Sequence, residues 1–320
     1  MNQILKRKLI KGKRDISKLS PTILIDCSGV VYQSLYTMGH LSYNGIETGV
    51  IFGFLKKILS MAKRFDTDDF IFCWDSGKGY RDLVYPNYKI HRLKKRESYT
   101  QSEVEEYHSL LSQSEELYKT VLLNLGFMNN FRQRMYEADD LLAYWANKLR
   151  NKQNRTIMVT SDVDMYQCLD YCDIWSDTKK KFMTKKILRK DFGVEPSQWA
   201  MAKAIGGCSS DGVIGIVGVS DPKNKSSKSL KYLQGKLKDG KIKQKIESEE
   251  GQAIIKINLP IVTTPYRPEL MKRMIKRKNK YSRKKFVRVF DKYHFKSFLS
   301  NLNEWENCFL SEKGNQNGFN

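Results

Sequence analysis

Two acidic runs joined by one amphipathic stretch constrain this chain more than any other feature: Tyr136-Glu137-Ala138-Asp139-Asp140 and, downstream, Thr160-Ser161-Asp162-Val163-Asp164. The apolar, β-prone residues Thr156 to Thr160 predict a short buried strand, with Ser161 to Asp164 hanging off its carboxyl end. That end is where parallel sheets place their chemistry. Leu141, Leu142, Trp145, Ala146 and Leu149 recur at helical spacing, so Glu137, Asp139 and Asp140 fall in the opening turn of a helix. Either run alone is explained by the preference of carboxylates for helix starts and turns. Both together are harder to explain, because the chain holds 57 Lys plus Arg against 35 Asp plus Glu, a net charge of +22, yet no base interrupts these carboxylates. Like charges so close call for a counter-cation. A pair of hard divalent ions on oxygen ligands is the simplest candidate.

The same placement recurs upstream. Thr22-Ile23-Leu24-Ile25 predicts a compact strand ending at Asp26, followed by a helical pattern through Val30, Val31, Leu35 and Tyr36. A second helix is indicated by Val50, Ile51, Phe54, Leu55, Ile58 and Leu59, and a second strand by Asp69 to Trp74, ending at Asp75. Strands each followed by a helical segment argue for an α/β fold with a mostly parallel sheet flanked by helices. Right-handed crossovers put the carboxyl ends on one edge, so Asp26, Asp75, Asp162 and Asp164 are expected to converge with the Glu137 group.

At 320 residues the chain has room for one large domain or two modest ones. The basic surplus, with a pI near 9.6, points to a polyanionic partner, nucleic acid ahead of a membrane because tyrosines accompany the bases. The six cysteines (Cys27, Cys73, Cys168, Cys172, Cys208, Cys308) lack the paired spacing of a zinc site and read as reduced and packed. Neither a signal peptide nor a membrane-spanning stretch is legible, so a soluble, intracellular protein is expected.

Residues 1–20 read as a basic arm. From Ser76 to Arg96 the chain is basic and tyrosine-rich; Lys89, Arg92 and Arg96 share a face if the segment is helical, with Tyr85, Tyr88 and Tyr99 available for stacking on bases. Cys172 to Trp175 predicts a short strand and Lys179 to Met183 a basic hairpin or turn. Trp199, Met201, Ala202 and Ile205 suggest a helix, broken at Gly206 to Gly212. The glycine-spaced run Val213 to Val219 has the form of a hairpin whose N–H groups can meet a phosphate. Residues 221–229 read as a flexible lysine-serine loop, Leu259 to Val262 as strand-like, and Leu270, Met271, Met274 and Ile275 as a helical stripe. Residues 276–288 form the densest basic block.

In their order and spacing, Leu24-Ile25-Asp26, Phe72-Cys73-Trp74-Asp75, Tyr88-Lys89 with Arg92, Glu137-Ala138-Asp139-Asp140, Ser161-Asp162-Val163-Asp164 and Gly207 to Asp211 leading into Gly215 to Val219 resemble the 5′ nuclease superfamily of flap endonucleases and 5′-3′ exonucleases, most closely its bacteriophage ribonuclease H branch. The resemblance implies a PIN-like nuclease domain over residues 21–197 with a helical arch or clamp at about 76–108, and a C-terminal region, 198–320, with a helix-hairpin-helix element that grips duplex DNA. It implies two Mg²⁺ ions, with Mn²⁺ able to substitute: Asp26, Asp75, Glu137, Asp139, Asp140 and Asp162 around the first, Asp164 and Asp211 serving the second. Lys89 and Arg92 would contact the scissile phosphate, and Arg81, Tyr88, Lys95, Arg96, Gly215, Gly218 and Lys223 would bind nucleic acid. The implied activity is hydrolysis at 5′ ends or flaps of duplex DNA or RNA/DNA hybrid, leaving 5′ phosphates, as in primer removal during replication. The expected protein is a monomer in the cytoplasm of a bacterial host, in contact with replication proteins such as a single-strand-binding protein. Alternatives are a PIN-type nuclease for single-stranded RNA and a non-catalytic, structure-specific DNA-binding protein. One departure stands out: Cys208 occupies the first of two positions, three apart, that are acidic in the superfamily, and a thiol suits a hard ion poorly.

Overall fold

The computed structural model describes residues 20–150 and 154–310. The basic arm expected at 1–20 therefore lies, apart from Ser20, outside the described residues.

Apart from a two-stranded antiparallel pair, Ser42–Tyr43 with Ile46–Glu47, the described strands form one six-stranded sheet. From edge to edge it runs Asn130–Arg132, Phe70–Trp74, Thr22–Asp26, Thr156–Val159, Asp173–Ser176 and Lys181–Met183. The first five are parallel and only Lys181–Met183 runs antiparallel, closing the predicted basic hairpin. Alternation sorts each central strand between two cores. Ile23, Ile25, Phe70 and Phe72 face the helices Cys27–Met38 and Gly49–Phe65, whereas Leu24, Ile71, Cys73 and Met158 face Ala138–Leu149. Thr22–Asp26 lies at the centre, and the chain leaves it first toward Phe70–Trp74 and later returns on its other side as Thr156–Val159. That reversal opens a crevice beyond the carboxyl ends of the two strands, and an open cavity of about 400 Å³ lies there, lined by Asp26, Thr160 and Asp162 among others.

The segment expected to form an arch contains the helices Tyr80–Val84 and Ile90–Glu97 and leads into Gln101–Glu116, which Thr100 and Glu103 cap reciprocally. Its base rests on the turn after Pro196–Gly206, where the Lys89 N–H donates to the Asp211 carbonyl at 2.8 Å. Gly212, at φ +71°, permits this approach, because a Cβ there would lie 2.6 Å from the Asn87 carbonyl oxygen.

Several expectations for the C-terminal half change. Leu259 to Val262 is not a strand but the last turn of the helix Glu249–Val262; Pro260 sits so near the end that few backbone bonds follow it. Met271 to Ile275 is not helical: after a short 3-10 turn at Pro268–Leu270 the chain runs irregularly across the sheet-facing helices, and Met274 is buried beside Ala138–Leu149. The 221–229 segment remains a loop with Lys223 to Ser226 exposed, but it is anchored by Ser227 and Ser229, which are almost fully buried, the Ser227 hydroxyl donating to the Ser220 carbonyl at 2.5 Å. Finally, Phe286, Phe290, Trp305 and Phe309 join the same core as Phe70, Phe72 and Phe127, so residues 286–309 buttress the six-stranded sheet. No helix among the described residues is long and apolar enough to cross a membrane.

Candidate metal-dependent active site

Three carboxylates at the sheet edge are held by backbone N–H groups at helix starts. Asp26 caps its own helix, accepting from Gly29 N at 3.0 Å, and its other oxygen takes the Thr160 hydroxyl at 3.0 Å. A Cβ at Gly29 would stand 2.9 Å from Asp26 Oδ2, so a larger residue there would displace that carboxylate. Asp75 accepts from Ala138 N, across the sheet, at 2.8 Å and from the Ser28 hydroxyl. Asp162 accepts from Asp164 N at 2.8 Å as the 3-10 helix Val163–Cys168 begins. These bonds fix the carboxylates without neutralising them.

Their charges remain in conflict. Burial, then the nearby charges of Asp162 and Asp26, drive the Asp139 pKa well above the ordinary carboxylate value. Burial and then Asp164 raise Asp162 to about 7. Asp26 is also raised, by burial and by Asp75, against the opposing pull of its bond from Gly29 N. A set of oxygen donors at once oriented and mutually repelling fits a hard divalent cation. Asp26, Asp75, Asp139 and Asp162 would hold it.

Beside this group Asp164, Cys208 and Asp211 form a second trio, with one donor atom from each within 4.8 Å of the others. The Cys208 thiol is buried, donates to Asp164 Oδ2 at 3.0 Å, and is pushed up in pKa by burial and by the Asp164 and Asp211 charges. Among the described residues this trio is the group whose donor atoms close to such distances, although a protonated thiol suits Mg²⁺ poorly beside two carboxylates.

Two predicted ligands turn elsewhere. Asp140 is buried, and its oxygens accept from Arg81 Nη1 and Nη2, both at 2.8 Å, and from Tyr266 N at 2.8 Å, leaving nothing for the crevice. Glu137 Oε1 pairs with Lys89, while Oε2 accepts from the Tyr88 hydroxyl at 2.7 Å and Arg81 at 3.3 Å. Burial disfavours the Glu137 charge, but Lys89 and Arg81 outweigh it and its pKa is lowered. Glu137 thus seats Lys89 at the mouth of the site, and Lys89 stays charged because Glu137, Asp211 and Asp139 overcome its own burial. Arg92, half-exposed, lies 3.4 Å from Asp211 Oδ1.

The expected nucleic-acid residues divide in the same way. Arg81 is only 4% exposed and spends its guanidinium on Asp140, Glu137 and the Ile261 and Thr263 carbonyls, at 2.8 and 2.9 Å respectively. Tyr88 is buried with its hydroxyl on Glu137. Neither is free to meet a nucleic acid. Lys95, Arg96, Gly218 and Lys223 are exposed, and Gly215 packs against the backbone of Gly206 and Gly207. Sequence reasoning missed Ser28, Thr160 and Lys203. For Lys203 a signal existed, since it shares the i, i+3, i+4, i+7 stripe of Trp199, Ala202 and Gly206 on a buried helix face.

A strand order that reverses beside clustered carboxylates, with a basic segment tied to Glu137 and Asp211 through Lys89 and Arg92, fits a metal-dependent nuclease. The family described as 5'-3' exonuclease, N-terminal resolvase-like domain, matches residues 21–193, and the chain belongs to that family of nucleases. It is 27% identical over 204 residues to a 5'-3' exonuclease of Buchnera aphidicola, covering 62% of this chain and 67% of the relative. It is also 22% identical over 300 residues to DNA polymerase I of Bacillus subtilis, covering 88% of this chain but spanning only 32% of that protein. Among solved structures, the 5'-exonuclease of phage T5 with bound divalent zinc superposes with a TM-score of 0.64 at 19% identity, covering 88% of this chain and 98% of the other. The same phage's flap endonuclease, in a pseudo-enzyme-product complex with DNA and metal ions, gives 0.62 at 18% identity, covering 89% and 99%. These structural likenesses extend the fold to most of the described chain.

Proposed function

We propose that this protein is a divalent-metal-dependent 5′ to 3′ exonuclease and flap endonuclease that hydrolyses phosphodiesters at the 5′ ends or flaps of duplexes, with removal of RNA primers during replication as its task. The observation that carries the reading is the group Asp26, Asp75, Asp139 and Asp162: backbone N–H groups orient Asp26, Asp75 and Asp162, while burial and neighbouring carboxylates raise the pKa of Asp26, Asp139 and Asp162. Bound Mg²⁺ would supply a hydroxide nucleophile at neutral pH and stabilise charge on the leaving oxygen. The chain's own groups do the rest. Lys89, held charged by Glu137, and Arg92 meet the phosphoryl oxygens as their negative charge builds. The helices Pro196–Gly206 and Lys228–Leu233, with the glycine-containing turns between them, act as the helix-hairpin-helix grip on duplex, and exposed Lys95, Arg96 and Lys223 add phosphate contacts.

The test is cleavage of a 5′-labelled flapped duplex with matched RNA and DNA 5′ strands, in Mg²⁺ and in EDTA, beside an Asp162→Asn control. Short 5′ products formed only with Mg²⁺, and lost in the control, are expected, and the RNA-to-DNA rate ratio reads out the primer-removal role. Tight binding without turnover in any metal would remove the enzymatic reading, and cutting confined to unpaired RNA would replace it with a single-strand ribonuclease.

A further inference from the structure

Lys203 is a lysine in a place that should be apolar. It lies on the buried stripe of Pro196–Gly206 and is 1% exposed. A buried ammonium needs compensation, and Lys203 has two carboxylates. Its Nζ pairs with Asp164 Oδ1 and lies 3.2 Å from Asp221 Oδ1, with the Cys208 sulfur 3.6 Å away. Asp164 belongs to the second trio of the candidate site. Asp221 does not; it belongs to the anchored 221–229 loop, where its Oδ2 accepts from the Ser209 N–H and hydroxyl, both at 3.2 Å, and its Oδ1 accepts from Lys223 N at 3.0 Å. One buried cation therefore joins a carboxylate of the reaction centre to a carboxylate of the loop behind it.

The pairing sets up a competition. A divalent ion on Asp164 and Asp211 must share Asp164 with Lys203 or take it over. Taking it over leaves a buried ammonium, which is costly unless another anion remains on it. Resting on the nuclease reading above, we propose that Asp221 is a positioning residue that retains the Lys203 ammonium when Asp164 turns to a divalent ion, and so sets the affinity of the second ion position. The chain has particular need of such a device, since Cys208 supplies no negative charge there. Loss of the Asp221 charge leaves Lys203 on Asp164, where it competes with the ion.

The experiment is a Mn²⁺ titration of the full chain without nucleic acid, free Mn²⁺ being followed by electron paramagnetic resonance, for wild type, Asp221→Asn, Asp221→Glu, Lys203→Gln and the Asp221→Asn/Lys203→Gln pair. Asp221→Asn keeps an oxygen acceptor for Lys223 N but no charge. It is expected to weaken the weaker Mn²⁺ position on the order of tenfold, equivalent to ~1.4 kcal/mol. Asp221→Glu is expected to restore most of that affinity, which a merely loosened loop would not. In the Lys203→Gln background the same Asp221→Asn change is expected to shift affinity by no more than about threefold, the mark of coupling through the lysine. Equal effects in both backgrounds would make Asp221 a bystander charge and overturn the proposal, as would unchanged Mn²⁺ binding in Asp221→Asn. Should Lys203→Gln lose its cooperative thermal transition, the comparison of Asn with Glu at position 221 decides alone. Cleavage by the wild type is scored separately, so that its absence sinks the nuclease reading while a flat titration sinks only the role of Asp221.

Discussion

Replacing Arg81 with leucine tests whether the Arg81–Asp140 pair is architecture rather than substrate or metal chemistry. Arg81 is 4% exposed and Asp140 1%, and two parallel bonds of 2.8 Å join them. The guanidinium also closes the Ile261 and Thr263 carbonyls at the end of Glu249–Val262, tying the start of Ala138–Leu149 to the C-terminal half. Leucine leaves the Asp140 carboxylate buried with only the Tyr266 and Glu137 N–H groups. Breaking a buried pair from one side costs about 3–5 kcal/mol, mostly through the orphaned charge. Urea unfolding followed by circular dichroism should show that loss as a lower midpoint at unchanged slope. The double variant Arg81→Leu/Asp140→Leu should recover about half of it or more, because no charge is then stranded. A loss below about 1 kcal/mol in Arg81→Leu, or a double variant no better than the single, would refute the reasoning and return Arg81 to the nucleic-acid face.

Three further outcomes are expected. In the metal-free protein the Asp162 pKa is raised from 3.8 to about 7, so the group costs nothing below its unfolded value and removes stability as pH rises from about 4 to about 7; the metal-free Tm should fall over that window and level off above it while the increment given by Mg²⁺ grows, and a Tm that rises with pH in EDTA would contradict this. Cys208→Asp should tighten Mg²⁺ binding and lower the Mg²⁺ concentration for half-maximal cleavage by about tenfold, since it adds a hard, charged donor to Asp164 and Asp211; an unchanged titration would mean that the trio holds no ion. Lys95→Ala/Arg96→Ala should reduce the slope of log affinity for duplex against log salt by about two, the share of two phosphate contacts, and an unaltered slope would take these exposed residues out of the interface.

Much of the site was legible because local rules place its residues. A compact apolar strand fixes where the chain leaves the sheet whatever surrounds it, and Asp26, Asp75 and Asp162 stand at or just beyond such ends. Glu137, Asp139 and Asp140 show the limit of such rules. Adjacent on a helix start they look equivalent, but successive helical residues point about 100° apart. Asp139 accordingly faces Asp26 and Asp162, while Asp140 meets Arg81 from a segment nearly sixty positions away. Leu259 to Val262 misled because a short apolar run fits a buried strand and a turn of buried helix alike.

By itself, then, the sequence determined the periodicities: which strands would be buried on both faces, where each carboxylate would leave its strand, and that a basic, tyrosine-rich segment would stand nearby. Tertiary structure alone decided which charges were paired. Arg81 and Tyr88 were drawn inward, Lys203 was placed between Asp164 and Asp221, and the final aromatic helices were folded back onto the sheet. The physical reason is range. Backbone and burial preferences act within a few residues of the chain, whereas a buried charge is settled by whichever partner packing brings within about 3 Å, and nothing local to a residue names that partner.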